Sequence, residues 1–418
     1  MRCAPERASH LMQMSTVRLA VVSLVGLVSS CSSPSSSGPT PVPSDPTSEQ
    51  VAFSYVTNLI PAQITVGGTS ATAYVDTGNP FVLLDPSTFT SISGLAALGG
   101  DIPSVVVGST TAENVYVIPT TDGLTSPDPA FPLHANLGCT AICKFVATFN
   151  YRDVAFGLAP AAPAPPAGLE PEIVLAFSFE GGSEVGGVNV PKSRIVVPVT
   201  IEGTKYTMML DTGASYVTVT QAAFTAITQD GRPTANGGTA ETTEGTSTTT
   251  VARVSSVVVG GTGGAEVQSV VIAHDTSFDM NLEEVSTDTG QQIDGSLGGT
   301  FLHDFYVTVD YATAKVHFAR YSDTSFAIDP AEQIGIALAQ QGSNYVVAAA
   351  DQAAAALGVT SGDVVTSIDG QLITGLPVAQ ASVLLFGKVG STKMVAFGAA
   401  AHLGYQSVSL TVEELLPQ

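Results

Sequence analysis

Apolar and polar positions alternate in short runs along most of the chain, and glycines punctuate them. Residues 61–75 read PAQITVGGTSATAYV, an alternating run, a Gly-Gly pair and a second apolar run. That pattern predicts two antiparallel strands joined by a tight hairpin. Residues 196–210 (VVPVTIEGTKYTMML) repeat it. Strand pairs around Gly-rich turns recur at 104–119 and 256–273, and the apolar run IVLAFSF at 173–179 is read as a further strand in a sheet bridging the repeated units. The class this predicts is mainly β. One run differs: residues 19–28 (LAVVSLVGLV) form an apolar run too short to span a bilayer but right for the core of a signal.

The repetition is internal duplication. Residues 61–89 lie over 196–224 without a gap, so that Asp76 falls on Asp211 at an offset of 135. The block at 104–119 matches 256–273 at an offset of 152, and 136–157 matches 296–319 with Gly138 on Gly298 at 160. Order is preserved through three blocks, which defines a duplicated all-β unit.

Each copy runs an apolar strand into Asp-Thr-Gly and later holds an apolar-Gly pair: Val75-Asp76-Thr77-Gly78 with Leu137-Gly138, and Leu210-Asp211-Thr212-Gly213-Ala214-Ser215 with Leu297-Gly298. Over residues 55 to about 320 this resembles the retropepsin and pepsin group of aspartic proteases. The resemblance implies two β-barrel lobes in a pepsin-like bilobal arrangement. It makes Asp76 and Asp211 a catalytic dyad, with Thr77, Gly78, Thr212, Gly213 and Ala214 in support. Two adjacent carboxylates cannot both ionise comfortably, so the pair holds one proton and can act as acid and base at once. A third Asp-Thr-Gly, at 288–290, sits in a polar stretch with no apolar strand before it and reads as a turn. The first copy departs from the pattern: Asn79-Pro80 stands where the second has Ala214-Ser215, and Cys139 where it has Gly299. Asp76 to Ser104 is 28 positions, whereas Asp211 to Ser256 is 45. The extra stretch, around 229–250, is read as a β-hairpin flap.

From about residue 326 the pattern changes. Leu357-Gly358-Val359-Thr360-Ser361-Gly362-Asp363-Val364-Val365, then Ser367-Ile368-Asp369-Gly370, resembles a bacterial PDZ domain. That resemblance implies an α+β module in which Ile334, Gly335 and Ile336 offer backbone N–H groups to a peptide carboxylate.

Composition narrows the function. Asp and Glu outnumber Lys and Arg 36 to 14, a formal charge of −22, which repels a phosphate backbone and excludes nucleic-acid binding. Val28-Ser29-Ser30-Cys31 resembles the lipobox of bacterial lipoproteins, in which the cysteine is lipidated; a plain secretory signal is the other reading. Met14 is a better start for that signal than Met1. Cys139 and Cys143, spaced C-x3-C, are read as packed or bridged rather than as metal ligands. No metal or organic cofactor is implied. The expected order is a lipoprotein signal at 1–31, a Ser/Pro-rich tether at 32–50, lobe 1 at 51–158, a Pro/Gly-rich linker at 159–192, lobe 2 at 193–322 and the PDZ-like domain at 326–415. The functional expectation is a monomeric aspartic endopeptidase, lipid-anchored at the bacterial cell envelope on the periplasmic or surface side of the outer membrane, acting on polypeptides or protein C-termini. Two readings compete with it. One is a catalytically inactive envelope protein that binds through the same surfaces, and the other is a competent second lobe that requires a partner chain.

Overall fold

The computed structural model describes residues 50–52, 59–85, 99–120, 133–153, 155–185, 188–242, 245–324, 329–376, 380–381, 384–398 and 406–416. The signal, Cys31 and nearly all of the tether lie outside them.

The first repeat comprises β1 (Gln50–Ala52), β2 (Pro61–Val66), β3 (Thr69–Val75), β4 (Val82–Leu84), β5 (Gly100–Val107), β6 (Thr110–Pro119), β7 (Ala135–Leu137), the short helix α1 (Cys139–Ile142), β8 (Val146–Asn150) and β9 (Ala155–Ala159). The connecting stretch holds β10 (Ile173–Ala176), β11 (Ser178–Glu180), β12 (Ser183–Val185) and β13 (Val188–Val190). The second repeat comprises β14 (Arg194–Ile201), β15 (Thr204–Leu210), β16 (Val217–Val219), α2 (Gln221–Thr228), β17 (Thr234–Thr242), β18 (Gly245–Val259), β19 (Ala265–His274), α3 (Thr276–Thr289), β20 (Gly295–Leu297), α4 (Gly299–Leu302), β21 (Phe305–Asp310) and β22 (Lys315–Arg320). The C-terminal module comprises β23 (Glu332–Ile334), β24 (Ile336–Gln341), β25 (Asn344–Ala350), α5 (Gln352–Ala356), β26 (Val364–Ile368), β27 (Gln371–Leu372), β28 (Thr392–Phe397) and β29 (Ser407–Glu414). The chain is mainly β, as the patterning predicts.

In the first lobe, β2-β3-β7-β4-β6-β5 close into a barrel. The second lobe repeats the order as β14-β15-β20-β16-β19-β18, with β14 also paired to β18. The opening hairpin is built alike in both. Gly67 and Gly68 take positive φ of 54° and 86°, and Glu202 and Gly203 of 48° and 85°, the two-residue turn whose twist suits a hairpin. Val66 then faces Thr69, and Ile201 faces Thr204.

The last hairpin of each repeat leaves its own barrel. β8 and β9 from the first, and β21 and β22 from the second, join β1 and β10 in a six-stranded sheet ordered β1-β9-β8-β21-β22-β10. Its centre is the β8–β21 pair, with Asn150 opposite Tyr306. The strand expected at 173–179 splits: residues 173–176 enter this bridging sheet as β10, whereas β11 leaves it to pair with β14 of the second lobe. One buried apolar core runs through both lobes and the sheet, from Ile60 and Val75 through Phe149 and Phe156 to Phe301, Phe305 and Phe318. Each of these side chains contributes roughly 1.5–3 kcal/mol on burial.

The C-terminal module has its own core, including Ile334, Tyr345, Val347, Val395 and Val412. Asp369 and Gly370, both at positive φ, turn β26 into β27. The module docks on the second lobe. Ala331 and Leu416 pack with Tyr216, Val251, Val271 and Ala273. Arg253 on β18 reaches Asp329 (2.9 Å), Glu414 (2.6 Å) and the Leu416 carbonyl (2.7 Å). No helix among the described residues is long and apolar enough to cross a membrane.

Candidate active site

The two Asp-Thr-Gly loops follow β3 and β15, strands buried over their last three residues. Each loop is held from behind by the equivalent apolar-Gly block. The N–H of Asp76 donates to the Leu137 carbonyl and that of Asp211 to the Leu297 carbonyl, both at 3.1 Å. Gly138 lies so close to the carbonyls of Phe81 and Asn79, and Gly298 to those of Tyr216 and Ala214, that no side chain would fit. Thr140 and Thr300 then donate main-chain N–H groups to the carbonyls of Pro80 and Ser215, at 3.1 Å in both lobes. Pro80 thus keeps the acceptor this contact needs, and the departure noted at Asn79-Pro80 leaves the loop's support intact. Cys139 and Cys143 form a disulfide across α1.

The loops meet across the lobes through their threonines. Thr77 donates its N–H to Thr212 Oγ1 (3.1 Å) and its hydroxyl to the Leu210 carbonyl (3.1 Å). Thr212 reciprocates to Thr77 Oγ1 (3.0 Å) and the Val75 carbonyl (2.7 Å). All four groups are buried, so the bonds fix how the lobes meet.

This brings Asp76 and Asp211 together. Both are buried, and each carboxyl lies against the glycine of the other lobe's loop. A Cβ on Gly78 would lie 2.7–2.8 Å from the Asp211 carboxyl, and one on Gly213 would lie 2.5–2.7 Å from that of Asp76. Each glycine is therefore the gap through which the opposite carboxylate reaches the interface. Gly78 N–H donates to Asp76 Oδ1 (2.8 Å) and Gly213 N–H to Asp211 Oδ1 (2.9 Å). Burial, then the neighbouring Asp76 charge, pushes the Asp211 carboxyl well above the usual carboxylate range, against the pull of Gly213 N–H and Arg194. The pair accordingly holds its proton to higher pH than a lone carboxyl does. Ala214, also buried, packs under α3 with Phe278 and Leu282.

Residues 197–301 match the aspartyl protease family. The match covers most of the second lobe, including Asp211 and the Leu297-Gly298 block, so this lobe is similar in sequence to aspartyl proteases. Among solved structures, an aspartic proteinase from Irpex lacteus is similar at 13% identity and a TM-score of 0.39, over 66% of this chain and 98% of that one. A photosystem II D1 C-terminal processing protease is 24% identical over 20% of this chain, with a TM-score of 0.19. The chain spans 23% of the length of that protease. No curated protein matches the chain.

Two residues that sequence reasoning passed over join the site. Asn136, on β7, donates from Nδ2 to Asp76 Oδ2 at 2.8 Å. Its polarity within a buried strand is the signal that could have found it, because a buried amide needs a partner. Arg194, at the start of β14, is buried and donates to the Gly78 carbonyl. Burial pulls its pKa down, opposed by the charges of Asp288, Asp76, Asp211 and Glu284. The third Asp-Thr-Gly, expected as a turn, ends α3, where Gly290 takes the left-handed conformation (φ 68°).

The residues assigned to peptide binding lie elsewhere, at the β23–β24 junction. Ile334 N–H already donates to the Leu385 carbonyl (3.0 Å), and the Asp351 carboxylate lies against Gly335. Ile336 begins β24, the edge strand of the module's sheet, and β24 lies beside β17. The expected flap is the β17–β18 hairpin, paired down to Thr242 opposite Gly245. Among the described residues no group of three or more His, Cys, Asp or Glu is placed to hold a metal ion.

Proposed function

We propose that the chain is an aspartic-type endopeptidase in which Asp76 and Asp211, one from each lobe, activate a water molecule for attack on a peptide carbonyl. The observation that carries this is the meeting of two buried carboxyls at the interface of the lobes, each held by its own loop glycine and lying against the glycine of the other loop. The ionised member takes a proton from water, the protonated member donates one to the carbonyl oxygen, and the tetrahedral intermediate collapses without a covalent enzyme adduct. The contribution of both lobes to the dyad favours a monomeric catalyst over a second lobe that awaits a partner chain.

The C-terminal module serves this reading as a PDZ-like element that recruits polypeptides. With Asp351 beside Gly335, the edge of β24 suits an extended segment better than the loop suits a free carboxylate. A segment bound there would run beside β17. The lipobox-like sequence ending at Cys31 would tether the enzyme to the cell envelope through a lipid.

The test is cleavage of unfolded casein by the full chain across about pH 3–7, beside Asp76→Asn and Asp211→Asn. Each variant is expected to lose at least about 1,000-fold in kcat/KM. Retained activity in Asp76→Asn would sink the two-lobe dyad, and a folded wild type inactive at every pH would sink the peptidase reading in favour of a binding protein.

A further inference from the structure

We propose that Asn136 is a positioning residue that fixes the negative charge of the dyad on Asp76, making Asp76 the base and Asp211 the acid. The catalytic half of this statement rests on the peptidase reading above; the placement of the charge does not.

The argument starts from a main-chain donor that cannot be reversed. Phe81 N–H donates to Asn79 Oδ1 (3.1 Å), which fixes the orientation of the Asn79 amide. Its Nδ2 therefore faces Asn136, where Oδ1 accepts at 3.3 Å. The Asn136 amide is oriented in turn, and its Nδ2 points at Asp76 Oδ2 (2.8 Å). All three residues are buried. Asp76 thus accepts on both oxygens from groups that can only donate, Gly78 N–H on Oδ1 and Asn136 Nδ2 on Oδ2. A proton on either oxygen would oppose a donor, so the ionised form is favoured.

The second lobe lacks this arrangement. Ser296 takes the place of Asn136, and its hydroxyl is buried with no hydrogen-bond partner among the described residues. Ala214, which has no polar side chain, takes the place of Asn79. Asp211 receives Gly213 N–H on Oδ1, which leaves its other oxygen to carry the shared proton.

The remaining ionisable neighbours do not reverse the choice. The charge of Arg194, on β14, acts on both carboxylates, while Glu284 and Asp288 of α3 act on Arg194. The Tyr311 phenol is within the field of Asp76 and the Tyr151 phenol within those of Tyr321 and Asp211; burial pushes both pKa values upward, so both stay neutral.

The test uses the full chain with Asn136→Ser, the residue the second lobe already carries at this place, and Asn136→Val, which keeps more of the volume. Loss of a charge-assisted hydrogen bond is expected to raise the lower of the dyad's two apparent pKa values by about one unit. The acid limb of the kcat/KM profile should move up by that amount while the alkaline limb, which reports loss of the second proton, stays in place. A merely structural role would lower activity at every pH and move neither limb.

Denaturant unfolding supplies a readout that needs no catalysis. The Asn136 bond to the ionised Asp76 carboxylate stabilises the fold only while Asp76 is ionised, and its contribution is lost as pH falls far enough to protonate that carboxyl. The increase in the unfolding constant caused by Asn136→Ser should therefore be about tenfold larger at about pH 7 than in the acid limit, and the difference should vanish in an Asp76→Asn background. An increase independent of pH overturns the proposal. If the pH-dependent loss is found in a protein that cleaves nothing, the charge placement stands and the peptidase reading falls.

Discussion

At the scale of single residues, the dyad is a local cost to the fold. Asp211 binds its proton more tightly in the folded chain than in the unfolded one, because burial and the Asp76 charge both raise its pKa. A carboxyl shifted upward withdraws stability as pH rises above its unfolded value near 4, until the folded pKa is reached. Asp211→Asn removes that penalty, so the variant should be more stable than wild type at neutral pH. The gain should shrink toward acid by up to about 1.4 kcal/mol per pH unit; thermal unfolding at several pH values checks it, and a variant less stable than wild type at neutral pH would contradict the assignment of burial strain to this carboxyl. Asp76 and Asp211 were legible in the sequence because each ends an apolar strand in a repeated frame. Arg194 was not: a single arginine at a strand start carries no pattern, and its placement on the Gly78 carbonyl depends on how the lobes meet.

At the scale of elements, the reciprocal threonine bonds make the two Asp-Thr-Gly loops one unit. Thr212→Val removes one acceptor and one donor from buried partners, and should destabilise the chain by about 2–4 kcal/mol. Because both changes loosen the same contact between the two loops, adding Thr77→Val should cost less than the sum of the single variants by about 1 kcal/mol or more. Denaturant unfolding of the four-member cycle decides this, and additive losses would mean that the loops are not coupled. The hairpins and the two apolar-Gly blocks followed directly from alternation and glycine position. Helix α3 was missed although its signals are present: Asp275 caps its first turn through Phe278 N–H (2.9 Å), Phe278, Leu282 and Val285 are spaced for one face, and Gly290 ends it. The Asp-Thr-Gly at its end drew attention to the wrong property of the segment.

At the scale of the whole molecule, the C-terminal module and the second lobe are joined by an apolar contact and one arginine. The Arg253 side chain is nearly buried, but its partners Asp329 and Glu414 are about one-third exposed, so solvent screens part of the attraction. Arg253→Met should weaken docking by roughly 1–3 kcal/mol. Calorimetry should then show the module unfolding ahead of the lobes, whereas a single unchanged transition would mean that the apolar contact suffices. This docking was not legible in the sequence, because Tyr216, Val251, Ala331 and Leu416 are scattered along the chain and share no period. The strand exchange at β8 and β21 was hidden for the same reason, since pairing between repeats leaves no trace in either repeat. Having both halves in one polypeptide has a further consequence. A site with exact two-fold symmetry offers a bound polypeptide two equivalent directions, N-to-C and C-to-N, and cannot tell them apart. On the peptidase reading proposed above, Asn136 on one side and Ser296 on the other make the two directions differ beside the two aspartates, so the site would read the polarity of a polypeptide that lies across it.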